Sequence, residues 1–518
     1  MRMDAQSSAS RGAPSVRQAM AGLHSWAGLL LGWLLYAMFL TGAASYFREE
    51  ISQWMRPEVP AMPERPPAPH SAAQALLALQ ELAPPGGQWS IELPGARSNV
   101  VALAWDGPQG AGRALLHPGT GARLAPRSTA GGEFFYYFHF SLHYLPRIPA
   151  RWLVGLAAMS MLVALVTGVV THRKLLHHFF TFRPGKGARS WLDAHNALSV
   201  LALPFHFMIT YTGLVTLMTL YMPWGAQMAL NTAEQRLALR AALTAHMPPG
   251  PASGAAAALP DVAAMVALAE RAWGGPHVGR VVVDHPGDAA ARVRVVHSDA
   301  DRVSVSPRFL LFEGRSGALL ERRDAASAAG QLHGVLYGLH LGRFAQPVLR
   351  WLYFLSSLAG AAMVATGLVL WAWKRRVPSA AAHRAGLGVR SVERLNVATI
   401  AGLPLAMAVF LWANRLLPAC LPDRSAWEIH LFFLAWGAAW LHALLRPVRR
   451  LWFEQFRAAA ILLATLPVWN LFFSERNLAS GLLAADTMAA AFDATLLVLA
   501  GACHALAIGA RAQASRVS

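Results

Sequence analysis

The sequence predicts a polytopic α-helical membrane protein. It has a duplicated four-helix core with two small α+β inserts, and four additional carboxy-terminal transmembrane helices. Three observations carry this. The 518 residues are 55% hydrophobic and only 14% charged, the balance of a chain that lives in lipid. Apolar runs of about 20 residues recur along the chain, each long enough to cross a bilayer. And within the first 376 residues one pattern occurs twice.

The repeated pattern is a histidine followed by an apolar helix that ends in Thr-Gly. His24 opens H-S-W-A-G-L-L-L-G-W-L-L-Y-A-M-F-L-T-G, and His195 opens H-N-A-L-S-V-L-A-L-P-F-H-F-M-I-T-Y-T-G. Both run 18 residues from histidine to glycine. A second pair of segments also corresponds. Trp152 and Trp351 each follow an arginine, and each precedes a Thr-Gly glycine by 16 residues, at Gly168 and Gly367. Upstream of these stand His143, in L-H-Y-L, and His340, in L-H-L-G.

Residues 1–22 read as a polar cytoplasmic tail and 23–47 as the first span. Arg17 ahead of an apolar run imitates a signal peptide, but the run is too long for a signal core and is expected to remain as an anchor. The first insert, 48–138, opens with a proline-rich spacer, P-E-V-P-A-M-P-E-R-P-P-A-P. A helical run S-A-A-Q-A-L-L-A-L-Q-E-L follows, then strands at S-I-E-L, V-V-A-L-A-W and the hairpin A-L-L-H-P-G-T-G-A-R-L. Residues 139–172 carry a histidine segment and the second span, 173–195 a cytoplasmic loop, and 196–222 the third span. The second insert, 223–330, repeats the plan: a helix from Asp261 to Ala272, strands V-G-R-V-V-V-D and A-R-V-R-V-V-H, and the hairpin F-L-L-F-E-G-R-S-G-A-L-L-E-R. Each insert therefore reads as its own module, one helix over a short antiparallel sheet. Residues 331–373 hold the other histidine segment and the fourth span, and 374–394 a second cytoplasmic loop. Residues 395–510 form an appended bundle, with spans near 395–417, 427–445, 457–474 and 487–509.

The net charge of +18 is an orientation signal rather than a nucleic-acid footprint. Basic residues collect in alternate short loops: Arg173, Lys174, Arg183, Lys186 and Arg189; Lys374, Arg375, Arg376, Arg384 and Arg390; Arg446, Arg449, Arg450 and Arg457. With Arg11 and Arg17 these mark the cytoplasmic side, which places both termini there and both inserts in the periplasm. Cys420 and Cys503 have neither disulfide-framework nor zinc spacing.

The L-H-S-W-A-G-L-L-L-G…T-G helix, the two inserts closing in a P-x-T-G-like hairpin, and the second H…T-G helix resemble the PepSY-associated transmembrane proteins. That family includes iron-regulated membrane proteins and the inner-membrane siderophore reductases of the ferrioxamine-uptake type. The resemblance covers about residues 20–376. It implies PepSY-like inserts and a periplasm-facing reductase carrying b-type haem. The four carboxy-terminal helices lie outside the four-helix pattern of those reductases.

An iron held by two neutral imidazoles shuttles one electron without an open coordination position, and histidines in membrane helices usually mark function. His24 and His195 occupy equivalent places near the cytoplasmic ends of their helices. His143 and His340 do so at the periplasmic edge. Pseudo-twofold symmetry then pairs His24 with His195 and His143 with His340, giving two haem b groups. The bland alternative is four interfacial histidines bonded to headgroups or carbonyls. Arg147, Arg151, Arg343 and Arg350 flank the periplasmic pair and suit haem propionates; they suit phospholipid equally well. His172, His206, His139 and His333 are secondary candidates. His177 and His178 read as loop residues, and His430, His442 and His504 as structural. The Thr-Gly pairs let helices approach closely or make room for a porphyrin. The aromatic run Phe134–Phe138 reads as an interfacial belt.

No flavin, nicotinamide or phosphate-loop motif occurs, so electrons must come from a partner, a membrane quinol or a cytoplasmic flavoprotein. The expected function is an inner-membrane di-haem electron-transfer protein that reduces periplasmic ferric siderophores or other ferric chelates. A permease for iron, chelate or another solute, and a non-enzymatic regulatory or binding protein, are the rivals.

Overall fold

The computed structural model describes residues 15–515 apart from 62–64, 85, 108–109, 173–184, 245–246, 248, 376–384 and 484–486. Arg11, Arg173, Lys174, Arg183, Arg376, Arg384, His177 and His178 lie outside the described residues. The first helix, α1 (Val16–Ser45), starts at a capping box in which Ser15 and Gln18 satisfy each other's backbone N–H groups. Its 30 residues reach about 45 Å, enough to cross a bilayer with a margin. After the short α2 (Arg48–Trp54) the chain leaves the membrane.

The extramembrane part is one sheet, not two. Helix α3 (Ala68–Leu82) precedes β1 (Gln88–Glu92), β2 (Val101–Asp106), β3 (Gly112–Leu116) and β4 (Arg123–Leu124). Strands β5 to β8 come from the second insert and are described below. Alternating burial along β1 sends Trp89 and Ile91 inward.

Helix α4 (Glu133–Ser141) brings the chain back to the membrane, and α5 (Arg147–Thr171) crosses it. The third expected span is broken. Helix α6 (Ala188–Leu201) and α7 (Leu203–Thr216) meet at a 68° bend. Pro204 explains the break: it has no N–H to give back to the preceding turn, and its ring disfavours helical backbone just before it. The amphipathic α8 (Ala233–Leu243) follows, an element that the sequence reading did not include.

Helix α9 (Val262–Trp273) then leads into β5 (Val278–Asp284), β6 (Arg292–His297), β7 (Phe309–Glu313) and β8 (Leu319–Arg323). The eight strands form a single antiparallel sheet in the order β4-β3-β2-β1-β5-β6-β7-β8. The expectation of two separate modules is therefore corrected: the first strands of the two inserts pair with each other, Ile91 opposite Val281 and Ser90 opposite Val282. The physical reason is edge closure. Alone, β1 and β5 would each expose a row of unpaired backbone groups; together they satisfy both. Helices α3 and α9 share one core with the sheet, from Leu76, Leu79, Met265 and Val266 to Ile91, Leu103, Val281, Val293 and Phe312. Burying each such side chain contributes roughly 1.5–3 kcal/mol.

Helix α10 (Ala328–Leu341) is capped by Ser327 and ends at Gly342, whose φ of 60° is the left-handed conformation glycine adopts without strain. Helix α11 (Pro347–Lys374) crosses the membrane. The remaining spans are α12 with α13 (Ala385–Ile400 and Gly402–Leu416, spanning from Gly388), α14 (Arg424–Leu445), α15 (Val448–Phe473) and, after the short α16 (Leu478–Leu483), α17 (Thr487–Ser515). Among the described residues seven helices are long and apolar enough to cross a membrane, and eight spans result if the bent pair counts as one.

The last four spans are more than an appendage. Their core is continuous with that of α1, α4 and α11, through Leu29, Tyr36, Phe134, Phe135, Phe138, Phe410 and Phe432. The reading of Phe134–Phe138 as an interfacial belt is corrected for its phenylalanines. Phe134, Phe135 and Phe138 are buried, and Phe134 meets Phe410 and Phe432 at 5.0 Å between ring centroids. Near the sheet, Arg424 and Glu428 form a fully buried ion pair at 2.5 Å. Asn414 Nδ2, Thr129 Oγ1 and the Ala130 N–H donate to the same carboxylate, which ties this bundle to the first insert.

Candidate functional site

Four imidazoles meet four Thr-Gly pairs, always in the same way. Threonine inside an apolar helix has no water to bond, so its hydroxyl turns back onto its own helix. Thr41, Thr167 and Thr212 donate at 2.7 Å, and Thr366 at 2.8 Å, to the carbonyl four residues earlier. In each case the carbonyl three residues before the threonine takes a histidine from another helix. His24 Nδ1 lies 2.9 Å from Ala164 O, His139 Nδ1 2.7 Å from Met38 O, His195 Nδ1 2.8 Å from Met363 O, and His340 Nδ1 3.0 Å from Ile209 O.

The glycine after each threonine leaves room for the ring. A methyl group there would lie 2.8 Å from His340 at Gly213, 2.9 Å from His139 at Gly42, 3.1 Å from His195 at Gly367 and 3.4 Å from His24 at Gly168. A carbonyl only accepts, so each Nδ1 carries the proton. That fixes the neutral tautomer whose other nitrogen, Nε2, has a lone pair for a metal.

The four rings form two facing pairs. His24 and His195 stand 6.1 Å apart between centroids with planes at 75°; His139 and His340 stand 6.1 Å apart with planes at 34°. Two imidazoles on opposite sides of one metal ion, each nitrogen about 2 Å from it, have centroids about 6 Å apart. Each pair borders its own cavity. The inner one, about 280 Å³, is lined by His24, His172, His195, Gly168, Gly367, Lys374 and Arg375. The outer one, on the sheet side, is about 120 Å³ and is lined by Gly42, His139, Gly213, His340 and three arginines, Arg48, Arg97 and Arg343. From His24 to Met38, the contact of His139, is 14 residues of α1, so the pairs lie about 20 Å apart.

The expected partner of His340 is corrected: His139 takes the place assigned to His143. Helix α4 ends at Ser141, and Leu142 and Tyr144 have φ of 49° and 64°, so the chain turns sharply away before α5. His143 lies past that turn, flat against Phe433 at 5.6 Å, outside both cavities. Spacing alone could not decide. His340 precedes its Thr-Gly glycine by 27 residues, whereas His143 and His139 precede theirs by 25 and 29, equally far off. The signal that separates them is Pro146, which starts α5 and leaves His143 in the connection while His139 stays on the helical aromatic run.

Only one of the four expected arginines lines a pair's cavity. Arg343 does so, 3.5 Å from Asp299. Arg350 is buried and held by Glu50 at 2.9 Å and by the Ala345 carbonyl. Arg151 bonds Ser141 Oγ and covers the Phe140 ring, and Arg147 is exposed. Sequence reasoning missed Arg48 and Arg97 at the outer cavity. Arg97 is engaged with Glu50 at 2.6 Å, and Arg48 lies over Tyr136 at 4.9 Å.

Of the secondary histidines, His172 borders the inner cavity. His206 is fully buried against Phe39, with Nε2 3.3 Å from Ser356 O and no hydrogen bond to Nδ1 among the described residues. His333 stacks on Tyr337 and joins neither pair. In the carboxy-terminal bundle His442 bonds Glu454 at 2.9 Å, and His430 accepts or donates at the Tyr144 hydroxyl.

A third cavity is far larger, about 1590 Å³. It runs between α1, α11 and the carboxy-terminal helices, from Glu50, Arg97 and Arg350 at the sheet side to Arg390, Glu393, Arg394 and Arg449 at the other. Thr366 lines it while also lying 3.5 Å from His195 Nδ1.

Residues 21–375, which include all four histidines, match the model of the PepSY-associated TM region family. The chain is also 27% identical over 316 residues to an uncharacterized protein, PA4219, of Pseudomonas aeruginosa. That alignment covers 58% of this chain and 76% of the relative.

Proposed function

The chain belongs to the PepSY-associated TM region family, and from that premise we propose that it is a di-haem b electron-transfer protein of the bacterial inner membrane that reduces ferric chelates. The observation that carries this reading is the pair of facing imidazole pairs, each 6.1 Å apart and each ring held by Nδ1. The donor set fits: two neutral imidazoles per site, glycines where a side chain would displace the rings, and cations among the residues lining each cavity. His24 and His195 would hold one haem, with Lys374 and Arg375 toward its propionates; His139 and His340 would hold the other, with Arg48, Arg97 and Arg343. Bound there, haem b supplies one-electron chemistry.

The residues define a direction. The basic loops favour the inner pair as the cytoplasmic one, with both termini on that side and the sheet in the periplasm. Electrons then enter beside His195 and leave beside His340. The large cavity favours a membrane quinol over a cytoplasmic flavoprotein as donor. It is lined largely by apolar side chains of the membrane helices and includes Thr366, which lies 3.5 Å from His195 Nδ1. On the periplasmic side the acceptor is a ferric siderophore or similar chelate, which loses its grip on iron once the ion becomes ferrous, because hard oxygen ligands hold Fe²⁺ less tightly. The duplicated H…T-G sequence pattern, and a sheet that pairs β1 with β5 at its centre, support one ancestral unit used twice.

An oxidised-minus-reduced visible spectrum of the purified protein tests the reading. Haem b bands that are reoxidised on adding a ferric siderophore are expected. A colourless protein would leave the permease or regulatory reading in its place. Reporter fusions at residues 100 and 290 should both report the periplasm; a cytoplasmic signal from either would reverse the direction.

A further inference from the structure

A second cluster of metal-ligating side chains lies outside the membrane, on the sheet. His277, His297 and Asp301 each bring one ligand atom within 4.8 Å of the others. His277 Nδ1 touches the Asp301 carboxylate, His297 Nδ1 lies 3.8 Å from it, and the two imidazoles stack at 5.2 Å with planes only 6° apart.

The local fold sets this up. Helix α9 ends at Gly274 with a φ of 75°, and Gly275-Pro276 deliver His277 to the start of β5. The register of β5 against β6 then shifts between Val278 and Arg280, a bulge that re-aims the strand's first side chains. His297 closes β6. It is buried against Trp273 at 4.9 Å, and its Nδ1 donates to Ser298 O at 2.7 Å, which leaves Nε2 as the ligand nitrogen. Asp301 comes from the turn after β6. A plain ion pair accounts for His277 and Asp301. It does not account for a second, buried imidazole laid parallel to the first, with a ligand nitrogen within 4.8 Å of the same carboxylate.

We propose that His277, His297 and Asp301 bind one divalent first-row transition-metal ion. Two imidazoles and one carboxylate select ions such as Zn²⁺ or Fe²⁺ over Mg²⁺ and Ca²⁺, which prefer all-oxygen shells. Three protein ligands leave a position open for water or for a group on a carrier of the ion. An ion about 2 Å from each ligand spaces them roughly 3 Å apart, so the three ligand atoms, now within 4.8 Å of one another, settle around it as the His277–Asp301 contact opens. The site is also tied to the outer imidazole pair. Asp299, in the same turn, bonds Arg302 at 3.3 Å and Arg343 at 3.5 Å, and Arg343 lines the outer cavity. Four residues beyond Asp299, Val303 O packs so closely on Gly338 of α10 that no side chain fits there, and His340 follows on that helix. This inference does not depend on haem.

The test is a Zn²⁺ titration of untagged full-length protein, stripped with chelator and read by calorimetry and elemental analysis. Wild type is expected to bind one more equivalent than the double variant H277Q/D301N, with each single substitution weakening that equivalent at least tenfold. Excess Mg²⁺ should not displace it. Both substituted side chains are partly exposed, so the fold should persist, and circular dichroism checks this. Zinc held instead at the membrane histidines would remain in the double variant. Equal uptake by wild type and double variant, or displacement by Mg²⁺, would overturn the proposal.

Discussion

Four glycine-to-alanine substitutions should rank in the order set by their distance from the imidazoles. Carbon atoms pack best at about 3.5–4.0 Å. A methyl group at Gly213 would stand 2.8 Å from His340 Cε1, so the ring must retreat by roughly 0.7 Å. Its Nδ1–Ile209 O bond, now 3.0 Å, would then stretch beyond hydrogen-bonding range. The lost bond costs about 1 kcal/mol and the overpacking about 1–3 kcal/mol. Gly42→Ala meets His139 at 2.9 Å and should cost nearly as much; Gly367→Ala at 3.1 Å should cost about half. Gly168→Ala at 3.4 Å makes an ordinary contact and should be close to neutral. Thermal unfolding of the purified variants, with the visible spectrum as a local readout, provides the assay. Gly213→Ala and Gly42→Ala should melt lowest and perturb the outer pair alone. If Gly168→Ala proved as damaging as Gly213→Ala, the glycines would not be there to seat the rings.

Two further outcomes follow from the packing. Glu428→Ala leaves the fully buried Arg424 without its carboxylate and should destabilise by about 3–5 kcal/mol, seen as a large drop in melting temperature. Ser90→Cys with Val282→Cys places two thiols directly opposite across β1 and β5, so a disulfide should form on mild oxidation and appear in peptide mass spectra. Failure to cross-link would mean that the inserts are separate modules after all.

Much of this architecture was legible in the sequence because period and punctuation agreed. The strands at S-I-E-L, V-G-R-V-V-V-D and A-R-V-R-V-V-H, and the helix from Asp261, stand where alternation and capping put them. His24, His195 and His340 were visible as repeats. What escaped was tertiary. That β1 seeks β5 rather than a strand of its own insert cannot be read from either segment alone. The substitution of His139 for His143 turns on where α4 stops, and a four-residue slip preserves the helical face while the spacing count stays ambiguous. The phenylalanines of α4 read as a belt because their partners, Phe410 and Phe432, lie nearly 300 residues away. Arg48 and Arg97 reach the outer cavity from the membrane edge and from the loop between β1 and β2, neither of which carries a local motif.

The central claim is that two imidazole pairs, His24/His195 and His139/His340, each hold one haem. The haem-to-protein ratio of fully loaded protein tests it most directly, measured for wild type, His139→Ala and His143→Ala. Ratios near two, one and two are expected. A ratio near one in wild type, or a haem lost with His143→Ala and kept with His139→Ala, would contradict it.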